Sequence, residues 1–156
     1  MKTMKTLVLT MVLAAAVCAA PAQEYHQVAI TQGGGNALTN VVAASSTNST
    51  ASDAIGLTKY GDVTLLLQYN LTANTSLGSN VVFSFTASPD GTNFNSTAPA
   101  NLVFTLPSNG TNTVTLVTNV NLGSLGYLEL FSIANTATNV ATNINVQAWV
   151  KPKRNG

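Results

Sequence analysis

Charge is nearly missing from this chain. Only 7 % of its 156 residues are Asp, Glu, Lys or Arg, against about 25 % in ordinary soluble domains. Past residue 22 there are four basic side chains (Lys59, Lys151, Lys153, Arg154) and five acidic ones (Glu24, Asp53, Asp62, Asp90, Glu129), a net charge of −1. Nucleic-acid binding is excluded on that ground, because phosphate recognition needs clustered Lys and Arg. Histidine and cysteine are equally scarce, with one of each, His26 and Cys18. A nucleophilic triad needs a base beside its nucleophile, and His26 lies in an N-terminal segment with the character of a strand edge. A zinc site needs clustered His and Cys, and a calcium loop needs several carboxylates in a short span. The five acids are scattered, with no local spacing that suggests a glycosidase pair. No catalytic residue, cofactor or metal site is expected.

Helical periodicity is missing as well. The one long apolar run lies at the start, where Lys2 and Lys5 precede LVLTMVLAAAV and then Ala20-Pro21-Ala22. A basic n-region, an apolar stretch too short for a permanent span and small residues at a cleavage position make residues 1–22 a signal peptide. Its short, Ala-rich core fits a bacterial export signal. The chain is then exported to the periplasm, cell surface or extracellular space, and its mature part has no transmembrane anchor. Cleavage after Ala22 removes Cys18. Val17 is a poor residue to precede a lipidated cysteine, so lipidation there is the minor alternative. Exported but without disulfides, the mature chain must be held by burial and backbone pairing.

What is present is β-structure. DVTLLLQYNLT, NVVFSFTAS, NLVFTLP, NTVTLVTNVN, GYLELFSIAN and NINVQAWV are runs rich in Val, Thr, Leu and aromatics, separated by Gly, Pro, Asn and Ser clusters. Several alternate with period two. Val63, Leu65, Leu67, Tyr69 and Leu71 oppose Thr64, Gln68 and Asn70, and Ile144, Val146, Ala148 and Val150 oppose Asn145 and Gln147. One buried face per strand points to an all-β, antiparallel two-sheet β-sandwich of about seven or eight strands, immunoglobulin-like or jelly-roll. Within it, residues 23–61 read as an N-terminal strand followed by a flexible Gly/Ser/Asn-rich loop with one weak strand at 38–43. Residues 62–150 form the core, and 151–156 a basic tail.

Three features invite a functional reading. In GYLELFSIAN, Tyr127, Phe131 and Ile133 fall on one side and Leu128 and Leu130 on the other, so the strand is expected to be apolar on both faces. Glu129 within it is either a solvated outer-face charge or a buried carboxylate needing a partner. Trp149 shares a face with Asn145 and Gln147, which makes it either a cover for a loop or sheet edge, or an exposed anchor for a partner or a sugar ring. SPDGTNF has the chemistry of a type I turn, with Pro89, Asp90 and Gly91 at its second, third and fourth positions; it presents Asp90, Asn93 and Phe94.

The run SFTASPDGTNF, followed later by GYLELFSIANTATNVATNINVQAWV, resembles a hairpin pattern of bacterial secreted and phage-virion β-sandwich accessory modules. The resemblance covers roughly residues 62–150 and implies an adhesive or structural domain without catalysis. The sequence therefore leads to a structural or adhesive protein whose partner is itself or a cell-surface or matrix polysaccharide. The alternative is a carbohydrate-binding module using exposed aromatics. Asp90, Asn93, Phe94, Tyr127 and Trp149 are the candidate binding residues.

Overall fold

A computed structural model describes residues 24–71, 79–108, 113–121 and 125–153. The expected signal peptide with Cys18, and Arg154 of the expected basic tail, lie outside the described residues. Among the described residues the chain is all-β: β1 (His26–Ala29), β2 (Thr31–Gln32), β3 (Asn36–Ala37), β4 (Ser46–Asn48), β5 (Ile55–Gly56), β6 (Tyr60–Leu71), β7 (Asn80–Ser88), β8 (Val103–Pro107), β9 (Thr113–Val120), β10 (Tyr127–Asn135) and β11 (Ala141–Pro152). One 3-10 turn at Ala100–Leu102 precedes β8, and no described helix is long and apolar enough to cross a membrane.

The strands form two main antiparallel sheets, ordered β1-β11-β6-β9 and β4-β10-β7-β8, with β5 also pairing along β10. From β6 onward the chain passes repeatedly between them, so each sheet is assembled from segments far apart in sequence. The two sheets are stacked in a sandwich-like arrangement rather than closed into a barrel. The expected alternation produces the packing. Val63, Leu65, Leu67 and Tyr69 from β6 are at most 1 % exposed, as are Val81, Phe83 and Phe85 from β7. They meet in one apolar cluster with Leu128 and Leu130 from β10 and Ala148 and Val150 from β11. Phe85 packs edge-to-face on Phe104, with centroids 5.9 Å apart. The Tyr69 hydroxyl crosses between the sheets and donates to the Leu106 carbonyl at 3.1 Å.

Two expectations are corrected. Strand β10 is not apolar on both faces. Its register against β7 shifts by one residue between Leu130 and Ser132. A bulge there leaves Phe131 without an opposite partner and reverses the facing of everything beyond it. Leu128, Leu130, Ile133 and Asn135 are all buried as a result. Ser52 holds the bulge from the sheet edge: Leu130 N–H donates to its Oγ at 2.9 Å, and its own N–H donates to the Leu130 carbonyl at 2.8 Å.

The second correction concerns the loop expected within residues 23–61, which holds more pairing than the one weak strand read there. Instead of a strand at 38–43 there is a single bridge, Val42 to Ala141, while β2–β3, β4 and β5 form on either side. Asp53 organises the β2–β3 hairpin. Its carboxylate accepts Thr31 Oγ1 at 2.6 Å and the backbone N–H groups of Gly34 and Gly35 at 3.0 and 2.9 Å. Gly33, Gly34 and Gly35 all have positive φ, a run that only glycine adopts without strain, and it turns successive amides toward one carboxylate. Asn135 anchors the rest of this segment. It is 1 % exposed, its amide donates to the carbonyls of Val42, Ala43 and Asn139, and its Oδ1 accepts from Ala137 N–H.

Candidate functional site

The five candidate binding residues do not converge. Asp90, Asn93 and Tyr127 gather at one end of the β7–β10 sheet, and Phe94 is half-buried in the same loop. Trp149 lies in β11, on the other sheet.

The Asp90 loop is built inward. Its carboxylate accepts the backbone N–H groups of Thr92 and Asn93, both at 2.9 Å, the Asn93 side-chain amide at 2.6 Å and the Ser88 hydroxyl at 2.7 Å. The Ser88 hydroxyl also accepts Gly91 N–H at 2.9 Å. The turn is thus closed by a side chain, while the Ser88 carbonyl accepts Gly126 N–H at 3.1 Å. Gly91 sits at φ 79°, with the Tyr127 ring 3.0 Å from where a β-carbon would stand. Asn95 N–H returns to the Ala87 carbonyl, at 3.4 Å. The loop is a rigid cap on which Asp90 has little acceptor capacity left for a ligand.

These bonds hold the Asp90 carboxyl well below its usual range, chiefly through the Asn93 and Thr92 amides; Asp53 is lowered in the same direction, chiefly by Thr31. Both groups favour ionisation in the folded state more than in the unfolded one. Their contribution is therefore fully present above the unfolded value of 3.8 and fades as the pH falls below it. The melting temperature is expected to hold steady from pH 7 to about 5 and to drop below about 4. Asp90→Asn should melt lower at neutral pH and lose less on acidification. An unchanged acid slope in that variant would show that Asp90 does not contribute.

The outer face of the other sheet has a different character. Trp149 lies opposite Gln27 on one side and Thr64 on the other, and Thr64 lies opposite Asn119. The next row is Ala29, Gln147, Leu66 and Val117, and the one after it Asn145, Gln68 and Thr115. Side chains on this face bond to one another. Trp149 Nε1 donates to Gln147 Oε1 at 3.3 Å, Gln147 to Asn145 at 3.3 Å, Asn145 to Gln68 at 3.4 Å, and Thr64 to Asn119 at 2.7 Å. Trp149, Tyr25 and Thr64 line a shallow open hollow, with the Lys151 ammonium 5.7 Å from the Tyr25 ring centroid.

Among the described residues, charge on this face is confined to that end, where Lys151 lies opposite Asp62. Val117 is 62 % exposed, the highest value among the large hydrophobic side chains described. Alternation had separated the polar β6 and β11 positions from the core, but only the pairing register assembles them with Leu66 and Val117 into a single surface.

Glu129 faces the outside of the β7–β10 sheet opposite Thr86 and accepts the Thr86 hydroxyl at 3.0 Å. It is half-buried and hydrogen-bonded, between the two readings its sequence offered. His26 is exposed at the start of edge strand β1. Among the described residues there is no group of three or more His, Cys, Asp or Glu placed to hold a metal ion. No protein-family model matches the chain, and no curated protein matches it in sequence.

Proposed function

We propose that this chain is an exported, non-catalytic β-sandwich of immunoglobulin-like or jelly-roll type that acts by association, as a structural or adhesive protein. One observation carries this reading. The outer face of the β1-β11-β6-β9 sheet is broad and almost uncharged, built of Thr, Asn and Gln around Leu66, Val117 and Trp149. Such a face offers little electrostatic resistance to contact with another neutral surface. Three of the carboxylates are engaged away from this face: Asp53 and Asp90 hold turns, and Glu129 is bonded to Thr86. Light scattering over a concentration series, together with retention on cell-envelope polysaccharide, tests the proposal. A chain that stays monomeric and is not retained would overturn it.

A second reading is favoured by the Trp149 hollow. An indole beside Tyr25, continued by the Gln147–Asn145–Gln68 amide chain, pairs a stacking surface with hydroxyl-binding groups, the combination that a sugar ring needs. Trp149 is the only tryptophan in the chain, so its fluorescence reports on this hollow alone. If the hollow takes a saccharide, titration with soluble polysaccharides shifts that emission. Trp149→Ala then weakens retention at least tenfold, about 1.4 kcal/mol, with the fold unchanged by circular dichroism. Equal retention of Trp149→Ala and wild type would remove the saccharide reading while leaving association intact.

A further inference from the structure

Most edges of the two main sheets are short or interrupted. β4 and β5 have three and two residues, β1 has four, and β8 has five and ends at Pro107. Short strands and proline are ordinary ways of preventing one sheet from adding to another. Strand β9 has neither device. It runs eight residues, TVTLVTNV, in unbroken register with β6 and without a bulge. No described strand pairs on its other side. None of its residues is charged or proline.

We propose that β9 pairs edge to edge with β9 of a second copy of this chain, antiparallel about a two-fold axis at Val117. This deepens the association reading and rests on it. The occupant is identified by the register. Opposite residues in an antiparallel pair point to the same face, so a two-fold axis must pass through a residue position. Placed at Val117, it sets Val117 against its own copy and Thr115 against Asn119 on the outer face. On the inner face it sets Leu116 against Thr118 and Val114 against Val120. Every pair is then polar with polar, apolar with apolar, or a leucine beside a threonine methyl, and β-branched residues favour such cross-strand contacts.

An axis at Leu116 instead sets Val117 against Thr115, and one at Thr118 sets Val117 against Asn119; both leave the most exposed hydrophobic side chain beside a polar one. With the axis at Val117, the row Ala29–Gln147–Leu66–Val117 continues into the same row of the second copy. The two four-stranded sheets become one of eight strands. Neither β9 carries a charge that would oppose the approach, and the two-fold axis closes the assembly at two copies.

An edge of eight residues is a small contact, at the low end of specific interfaces, so the dimer should form at micromolar concentrations and above. The test uses single cysteines in the full chain with Cys18→Ser. Directly opposed β-carbons lie about 4.5–5.5 Å apart, so mild oxidation of Val117→Cys should give a covalent dimer. Thr115→Cys alone should give at least tenfold less, because its copy is four positions away, about 13 Å along the strands. Mixing Thr115→Cys with Asn119→Cys should restore the product. Val117→Lys should shift the chain to monomer in light scattering without altering its circular dichroism.

Covalent dimer from Val117→Cys alone and from the mixed pair supports the edge pairing. A dimer in light scattering that none of these cysteines captures overturns it and leaves association standing. A monomer that polysaccharide retains does the same. A monomer that nothing retains ends both.

Discussion

Tyr69→Ala is expected to cost the folded state about 3–5 kcal/mol, the range for removing a large buried aromatic. Domains of this size have only about 5–15 kcal/mol in total. The side chain is fully buried, its backbone is paired with Val114 of β9, and its hydroxyl reaches the β8 carbonyl of Leu106. It therefore belongs to both sheets at once. Truncation opens a cavity between them that packed strands on either side cannot close. Tyr69→Phe keeps the ring and removes one hydrogen bond, for about 1 kcal/mol. Burial also pushes the phenol up from its ordinary value, so it stays protonated, and remains a donor, well into alkaline solution. Urea unfolding separates the cases: the midpoint should fall far more for alanine than for phenylalanine, with the slope unchanged. Equal losses from the two variants would mean that the ring itself is not packed between the sheets.

The part of this fold that was legible in the sequence is the part governed by period two. Val63, Leu65, Leu67, Tyr69 and Leu71 alternate without a break, and every one of them is buried. In β11 the same rule correctly set Ile144, Val146, Ala148 and Val150 apart from Asn145 and Gln147. Alternation fails where a residue is inserted. The bulge at Phe131 is invisible locally, because its support is Ser52, 78 residues away from Leu130. Reading straight through it turned one buried face into two apolar ones.

The Gly33–Gly35 run misled for a related reason. Three glycines signal freedom in an isolated chain, yet here a carboxylate 18 and 19 residues distant collects their amides into one conformation. The candidate surface was half legible. Trp149, Asn145 and Gln147 were placed on one face by spacing alone. That Val117 lies two strands from Gln147 in the same row is a fact of register, set by pairings between distant segments, and no local pattern carries it.

Among single-atom changes, Gly126→Ala should be the most damaging. A β-carbon there would overlap the Pro89 carbonyl oxygen and approach the Pro89 carbonyl carbon to 3.0 Å and its Cα to 3.3 Å. The backbone cannot easily yield, since Gly126 N–H is bonded to the Ser88 carbonyl and its own carbonyl accepts Leu57 N–H at 2.8 Å. Pro89 is no freer, because the turn it sits in is locked by Asp90 and Ser88. The methyl is thus caught between two fixed segments, and a cost of about 3 kcal/mol is expected, the upper part of the usual overpacking range.

Two neighbouring glycines around Tyr127 grade the effect. Gly91→Ala meets the ring at 3.0 Å with φ +79°, and the left-handed backbone alone costs about 1–2 kcal/mol. Gly56→Ala meets the same ring at 3.5 Å, ordinary contact, and should change stability by no more than about 0.5 kcal/mol. Denaturant midpoints should follow that order. Amide exchange at Thr92 and Asn93 should quicken most in Gly126→Ala, because expelling Pro89 loosens the turn whose amides Asp90 collects. If Gly126→Ala proves as stable as Gly56→Ala, the 89–93 cap is not held against Gly126, and the rigid loop described above is wrong.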